Sequence, residues 1–117
     1  MTASISRLVV SVAALGPALA FYEGLLGLRL ARAAGELAWL TTGDGVELML
    51  HERATRPSDT AVALGFLVPD LAGTVDAWTA RGGAVVDPPE ERPWGERMAV
   101  VRDPDGHLVC LSQTPPE

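Results

Sequence analysis

The chain repeats itself. Val12, Leu15, Leu19 and Tyr22 recur 56 positions later as Val68, Leu71, Val75 and Trp78, and each set follows an apolar, β-branched run and precedes a glycine stop. A unit this short cannot bury its own sheet face, so each half needs the other or a second chain. This confines the fold to α+β, one domain built from two like halves. At 117 residues the chain is long enough for a real core, burying roughly two thirds of its unfolded surface.

Hydrophobic spacing supplies the elements. Alternation over residues 5–12 predicts a strand with Arg7, Val9 and Ser11 on one face and Leu8, Val10 and Val12 on the other. Pro17 suits a first helical turn, Leu15, Leu19, Tyr22, Leu25 and Leu26 keep helical spacing, and Gly27 closes the helix. Strands are expected over 28–33, 37–42 and 46–52, with Gly43-Asp44-Gly45 as the last hairpin. After an unpatterned link come a strand over 62–68, a helix lined by Leu71, Val75 and Trp78, and a short strand over 84–86. Residues 88–93 read as a rigid polar loop, followed by strands over 97–101 and 107–112 about a turn at Asp103-Pro104-Asp105-Gly106. The halves are thus bounded at about 4–53 and 62–114, with a linker at about 54–61.

A net charge of −6, with no run of basic residues, argues against a nucleic-acid or anionic-membrane partner. The apolar run from Leu8 to Leu15 is broken by Ser11 and lacks the flanks of a signal peptide, so neither a leader nor a membrane span is expected. A single cysteine, Cys110, permits no intrachain disulfide and suits a reducing, cytoplasmic setting.

LVVSVAALGPALAFYEGLLGLRL at 8–30, VELMLHE at 46–52, LGFLVPDL at 64–71, PWGER at 93–97 and VRDPDGHLVCLS at 101–112 resemble the vicinal oxygen chelate superfamily. That superfamily includes glyoxalase I, extradiol dioxygenases, methylmalonyl-CoA epimerase and the bleomycin-resistance proteins. The resemblance implies two tandem βαβββ modules forming an open, cup-shaped mixed sheet, usually within a homodimer. It also implies that metal-dependent members would place ligands at the positions of Arg7, Glu47, Ala63 and Cys110. Here only Glu47 is a good ligand. Arg7 cannot release its proton, Ala63 offers nothing, and Cys110 is softer than the expected carboxylate, so no metal and no other cofactor is expected.

These residues point to a metal-free protein that binds or sequesters an apolar or aromatic small molecule, with antibiotic sequestration as a family precedent. Val9, Trp39, Met49, Leu67, Trp94 and Leu108 are its expected lining, and Arg7, Glu47, His51, Arg97 and Cys110 its polar contacts. If Arg7 and Glu47 enter from adjacent strands they can pair, either fixing the sheet or presenting a cation to an anionic ligand, or stand simply as a solvent-exposed rim pair. Two alternatives stand beside this one. An atypical isomerase, lyase or cyclase would use Glu47 or His51 as acid or base, and an association module would simply have its cup filled. Asp103 and Asp105 are read as turn formers.

Overall fold

The computed structural model describes residues 1–116, which form two compact units divided between Thr55 and Arg56. The first contains β1 (Leu8–Val12), α1 (Leu15–Leu19), β2 (Arg29–Ala34), β3 (Leu37–Thr41) and β4 (Glu47–Glu52); the second contains β5 (Leu64–Val68), α2 (Leu71–Ala80), β6 (Val85–Glu91), β7 (Arg97–Arg102) and β8 (Leu108–Gln113). Each unit is therefore a βαβββ module. The sheets are open and four-stranded, ordered β1-β4-β3-β2 and β5-β8-β7-β6, with one parallel pair (β1 with β4, β5 with β8) and antiparallel pairs elsewhere. No described helix is long and apolar enough to cross a membrane.

The repeat extends to single hydrogen bonds. Glu52, at the end of β4, accepts the Leu15 N–H at 2.8 Å, and Gln113, at the end of β8, accepts the Leu71 N–H at 2.9 Å. Each module thus uses its last strand to satisfy a donor that the first helical turn leaves open. In α1 this matters more, because its N-cap is Ala14, which offers no side-chain bond, whereas Asp70 of α2 accepts from Gly73 at 3.0 Å.

One face of each sheet is the core. In the first unit Val12, Ala38, Leu40, Leu48 and Leu50 are fully buried with Ala18, Phe21 and Tyr22; in the second, Val68, Ala99, Val101, Val109 and Leu111 are buried with Leu71, Val75 and Trp78. Their alternation along each strand leaves the intervening residues on the opposite, open face.

Four elements differ from their sequence signals. The strands expected from residues 5 and 62 begin at Leu8 and Leu64; Ile5 and Val62 lie before the paired register and are exposed, so their β-branched side chains have no ladder to join. The first helix relaxes after Leu19 into a π-helical stretch, Ala20–Leu25. Its wider turn buries the consecutive Phe21 and Tyr22, whose rings meet edge-to-face at 4.8 Å between centroids. The expected loop at 88–93 is mostly strand, since β6 runs to Glu91. Pro88 and Pro89 are tolerated because β6 is an edge strand, and its register slips between Asp87 and Glu90.

Candidate functional site

On the open face of the first unit, strand register sets three rows. Val9, Met49 and Trp39 stand side by side on β1, β4 and β3; Ser11, His51 and Leu37 form the next row; Glu47 and Thr41 lie on the other side. The central row is apolar and only half covered, with Val9 48% exposed. Arg7 reaches into the Glu47 row, its Nε donating to Glu47 Oε2 at 2.6 Å. Arg53, just past β4, donates from Nε to Ser11 Oγ at 2.7 Å. Arg32 of β2 lies over the Trp39 ring, 4.0 Å from its centroid.

The open face of the second unit is more polar. Cys110 and Ser112 on β8 stand between Gly65 and Leu67 of β5 and Val100 and Met98 of β7. Glu96, in the turn before β7, accepts from Trp94 Nε1 at 2.8 Å and from the nearly buried Ser112 Oγ at 2.7 Å. Those two bonds, the indole's first, hold the Glu96 carboxyl below its ordinary range. Arg92 donates to Glu90 at 2.8 Å and lies 3.5 Å from Asp87. Burial pushes the Cys110 thiol up, and the charge of Glu96 adds to the effect, so Cys110 is a poor thiolate.

The structure places the residues singled out from the sequence as follows. Arg7, Val9, Trp39, Glu47, Met49 and His51 share the first unit's open face. Leu67 and Cys110 share the second unit's, where Leu67 is 67% exposed. Leu108 is buried at 7% exposure, with its N–H on Ser58 Oγ. Trp94 is 68% exposed at the hairpin tip, tethered by Glu96, and Arg97 opens β7 opposite Glu91. Asp103 is a turn former: its Oδ1 accepts from the Asp105 and His107 amides, both at 2.9 Å. Ligand atoms of Asp103, Asp105 and His107 lie within 4.8 Å of one another, but the turn engages Asp103, and His107 Nδ1 accepts from the Ser58 N–H at 3.0 Å.

The model of the Glyoxalase/Bleomycin resistance protein/Dioxygenase superfamily matches residues 4–111. The chain belongs to this superfamily. No curated protein matches the sequence, but solved structures agree with it on the fold. A fosfomycin resistance protein, FosX, from Listeria monocytogenes superposes with a TM-score of 0.81 at 18% identity, over 98% of this chain and 96% of that one. A glyoxalase/dioxygenase from Nostoc punctiforme gives 0.79 at 23% identity, over 97% and 92%. A virulence protein from Salmonella typhimurium gives 0.71 at 26% identity, over 98% and 99%.

Against the superfamily's metal-binding pattern, the donor set of this chain is poor. Glu47 is the one hard ligand among Arg7, Glu47, Ala63 and Cys110, and a guanidinium occupies one of its oxygens. Register also separates Glu47 from Cys110. Val12 pairs with Glu52 and Val68 with Gln113, so the repeat's counterpart of Cys110 is Met49, and that of Glu47 is Leu108. Neither counterpart is a carboxylate.

Sequence reasoning missed Arg29, Arg32 and Arg53 in the first unit and Arg92, Glu96 and Ser112 in the second. A bulge between Leu30 and Arg32 hides Arg32, because strict alternation from Leu30 would send it to the core face. Arg92 and Glu96 lie in the Pro-rich passage read as loop. The signal there was the hairpin form Arg92-Pro93-Trp94-Gly95-Glu96, whose Gly95 has φ of 90°.

Proposed function

We propose that this protein is a metal-free small-molecule binder that takes apolar or aromatic compounds on the open faces of its modules. The observation that carries this reading is the Val9-Met49-Trp39 row, an accessible apolar band with an aromatic at its edge, bordered by Arg7-Glu47 on one side and Ser11-His51 on the other. Such a band with a few convergent polar groups is the usual make-up of a ligand site. Trp94, held by Glu96 yet mostly exposed, supplies a second aromatic plate in the other module. The donor set supports the metal-free part, since a guanidinium, a methyl group and a protonated thiol stand where ligands would be needed.

Binding rather than turnover is favoured because Arg7 engages Glu47, one of the two acid–base candidates, in an ion pair. Self-association as a homodimer is part of the proposal. The edge strands β1 and β5, each with one backbone edge outside its sheet's pairing, are the surfaces it would use. The test is a tryptophan-fluorescence titration with a panel of planar aromatic compounds, repeated with Trp39→Phe and Trp94→Phe. Saturable quenching that disappears in one of the variants is expected. Quenching by no compound, or turnover of a bound compound that Glu47→Gln abolishes, would contradict the proposal.

A further inference from the structure

The charge on the first unit's open face is opposite to that of the chain. Residues 1–55 hold four arginines and five carboxylates, and all four arginines come to this one face, Arg29 and Arg32 by strand register and Arg7 and Arg53 by their hydrogen bonds. Arg29 stands opposite Thr41 in the Glu47 row, Arg32 covers Trp39, Arg53 is bonded to Ser11, and Arg7 to Glu47. The other carboxylates lie off the strands of this face or turn from it. Glu23 is on the helical segment, Glu36 and Asp44 are in turns, and Glu52 turns to the Leu15 N–H of α1. Glu47 alone shares the face, and it neutralises Arg7.

Three cations are left without a carboxylate. Among the described residues no ion pair engages Arg29, Arg32 or Arg53. The contacts that Arg32 and Arg53 do make, to a π-face and a hydroxyl, are with neutral groups and hold each guanidinium in place without satisfying its charge. Ser11, to which the Arg53 guanidinium is bonded, lies one two-residue strand step, about 7 Å, from the Val9-Met49-Trp39 row. In the opposite row, Arg29 and Thr41 border an open groove with Gly27, Thr42, Gly43 and Gly45. An apolar band with unneutralised guanidinium groups on both sides fits a flat apolar body with negative charge at its rim. At physiological ionic strength a charge reaches only about 8 Å, so such a ligand responds to the arginines beside it more than to the net charge of the chain.

We infer that the ligand of this face is an aromatic carboxylate, its ring on the Val9-Met49-Trp39 row and its carboxylate on Arg53 and Ser11. This rests on the binding function proposed above and specifies its ligand class. The probes are phenylacetate, phenylacetamide and phenethylamine, titrated by calorimetry into the wild-type protein, Arg53→Gln, Arg32→Gln and Glu47→Gln. The acid is expected to bind at least about tenfold more tightly than the amide, the gain of one charge-assisted bond, with the amine weakest. Arg53→Gln and Arg32→Gln reduce that preference, and Glu47→Gln, which removes the one negative charge and frees Arg7, increases it. If acid, amide and amine bind alike, or the acid's preference survives in both arginine variants, the inference is overturned while the binding function stands. If none of the three binds, both fall.

Discussion

Arg7 faces Glu47 across the open face of the first unit. Its guanidinium lies 2.6 Å from Glu47, but the two side chains are 49% and 35% exposed, so solvent screens the pair. Glu47→Gln is therefore expected to cost less than about 1 kcal/mol by urea unfolding, and a larger loss would show that the pair has a structural role. Gly83 is a different case. A Cβ there would run into the Trp78 indole, which is fixed by donating from Nε1 to the Arg102 carbonyl at 2.9 Å. Gly83→Ala should destabilise by about 1–3 kcal/mol, read as a fall in the urea midpoint at unchanged slope. The raised pKa of Cys110 predicts that alkylation by iodoacetamide has a pH midpoint above that of a cysteine peptide. Because the folded state holds this proton more tightly, the thiol's contribution to stability is fully present below the unfolded pKa near 9 and is lost as pH rises from there through the higher folded pKa. The Arg7-Glu47 pair was legible in the sequence, since alternation expected over residues 5–12 put Arg7 on the face of Val9, and Arg7 keeps that face although pairing begins only at Leu8. Arg53-Ser11 and Glu96-Ser112 were not, because neither residue past a strand end nor residue in a turn has its direction fixed by alternation.

At the scale of elements, the helix starts are held from the sheet. Glu52 and Gln113 each accept the first helical N–H of their module, at 2.8 and 2.9 Å. Removing the ionised acceptor, Glu52→Ala, should cost about 1.5–3 kcal/mol, and Gln113→Ala about 1 kcal/mol, as expected for charged and neutral hydrogen bonds. Thermal unfolding that ranked the two in the reverse order would contradict this account of α1, whose N-cap offers no bond of its own. Element order and strand faces were readable from period-2 alternation and from the glycine stops, because buried and open residues alternate so cleanly on β3, β4 and β7. What was not readable was local irregularity: the π-helical stretch, the bulge in β2 and the proline-bearing edge strand β6. In each of these, sheet or helix pairing overrides the preference of the local sequence.

For the molecule as a whole, the 56-residue offset of the sequence repeat is the offset of β1 from β5 and of α1 from α2. The modules share a fold but have diverged in charge. Residues 1–55 carry four arginines against five carboxylates, and residues 56–117 carry five against ten. Their open faces diverge too, since the first offers an apolar row with arginines around it and the second a hydrogen-bonded set of Glu96, Ser112 and Trp94. The central claim, that this chain binds small molecules without a metal, is tested most directly by calorimetry of the chelator-dialysed protein with an aromatic compound, before and after adding Zn²⁺, Mn²⁺ or Fe²⁺. The account predicts the same affinity in every case, and binding that appears only when a metal is restored would contradict it.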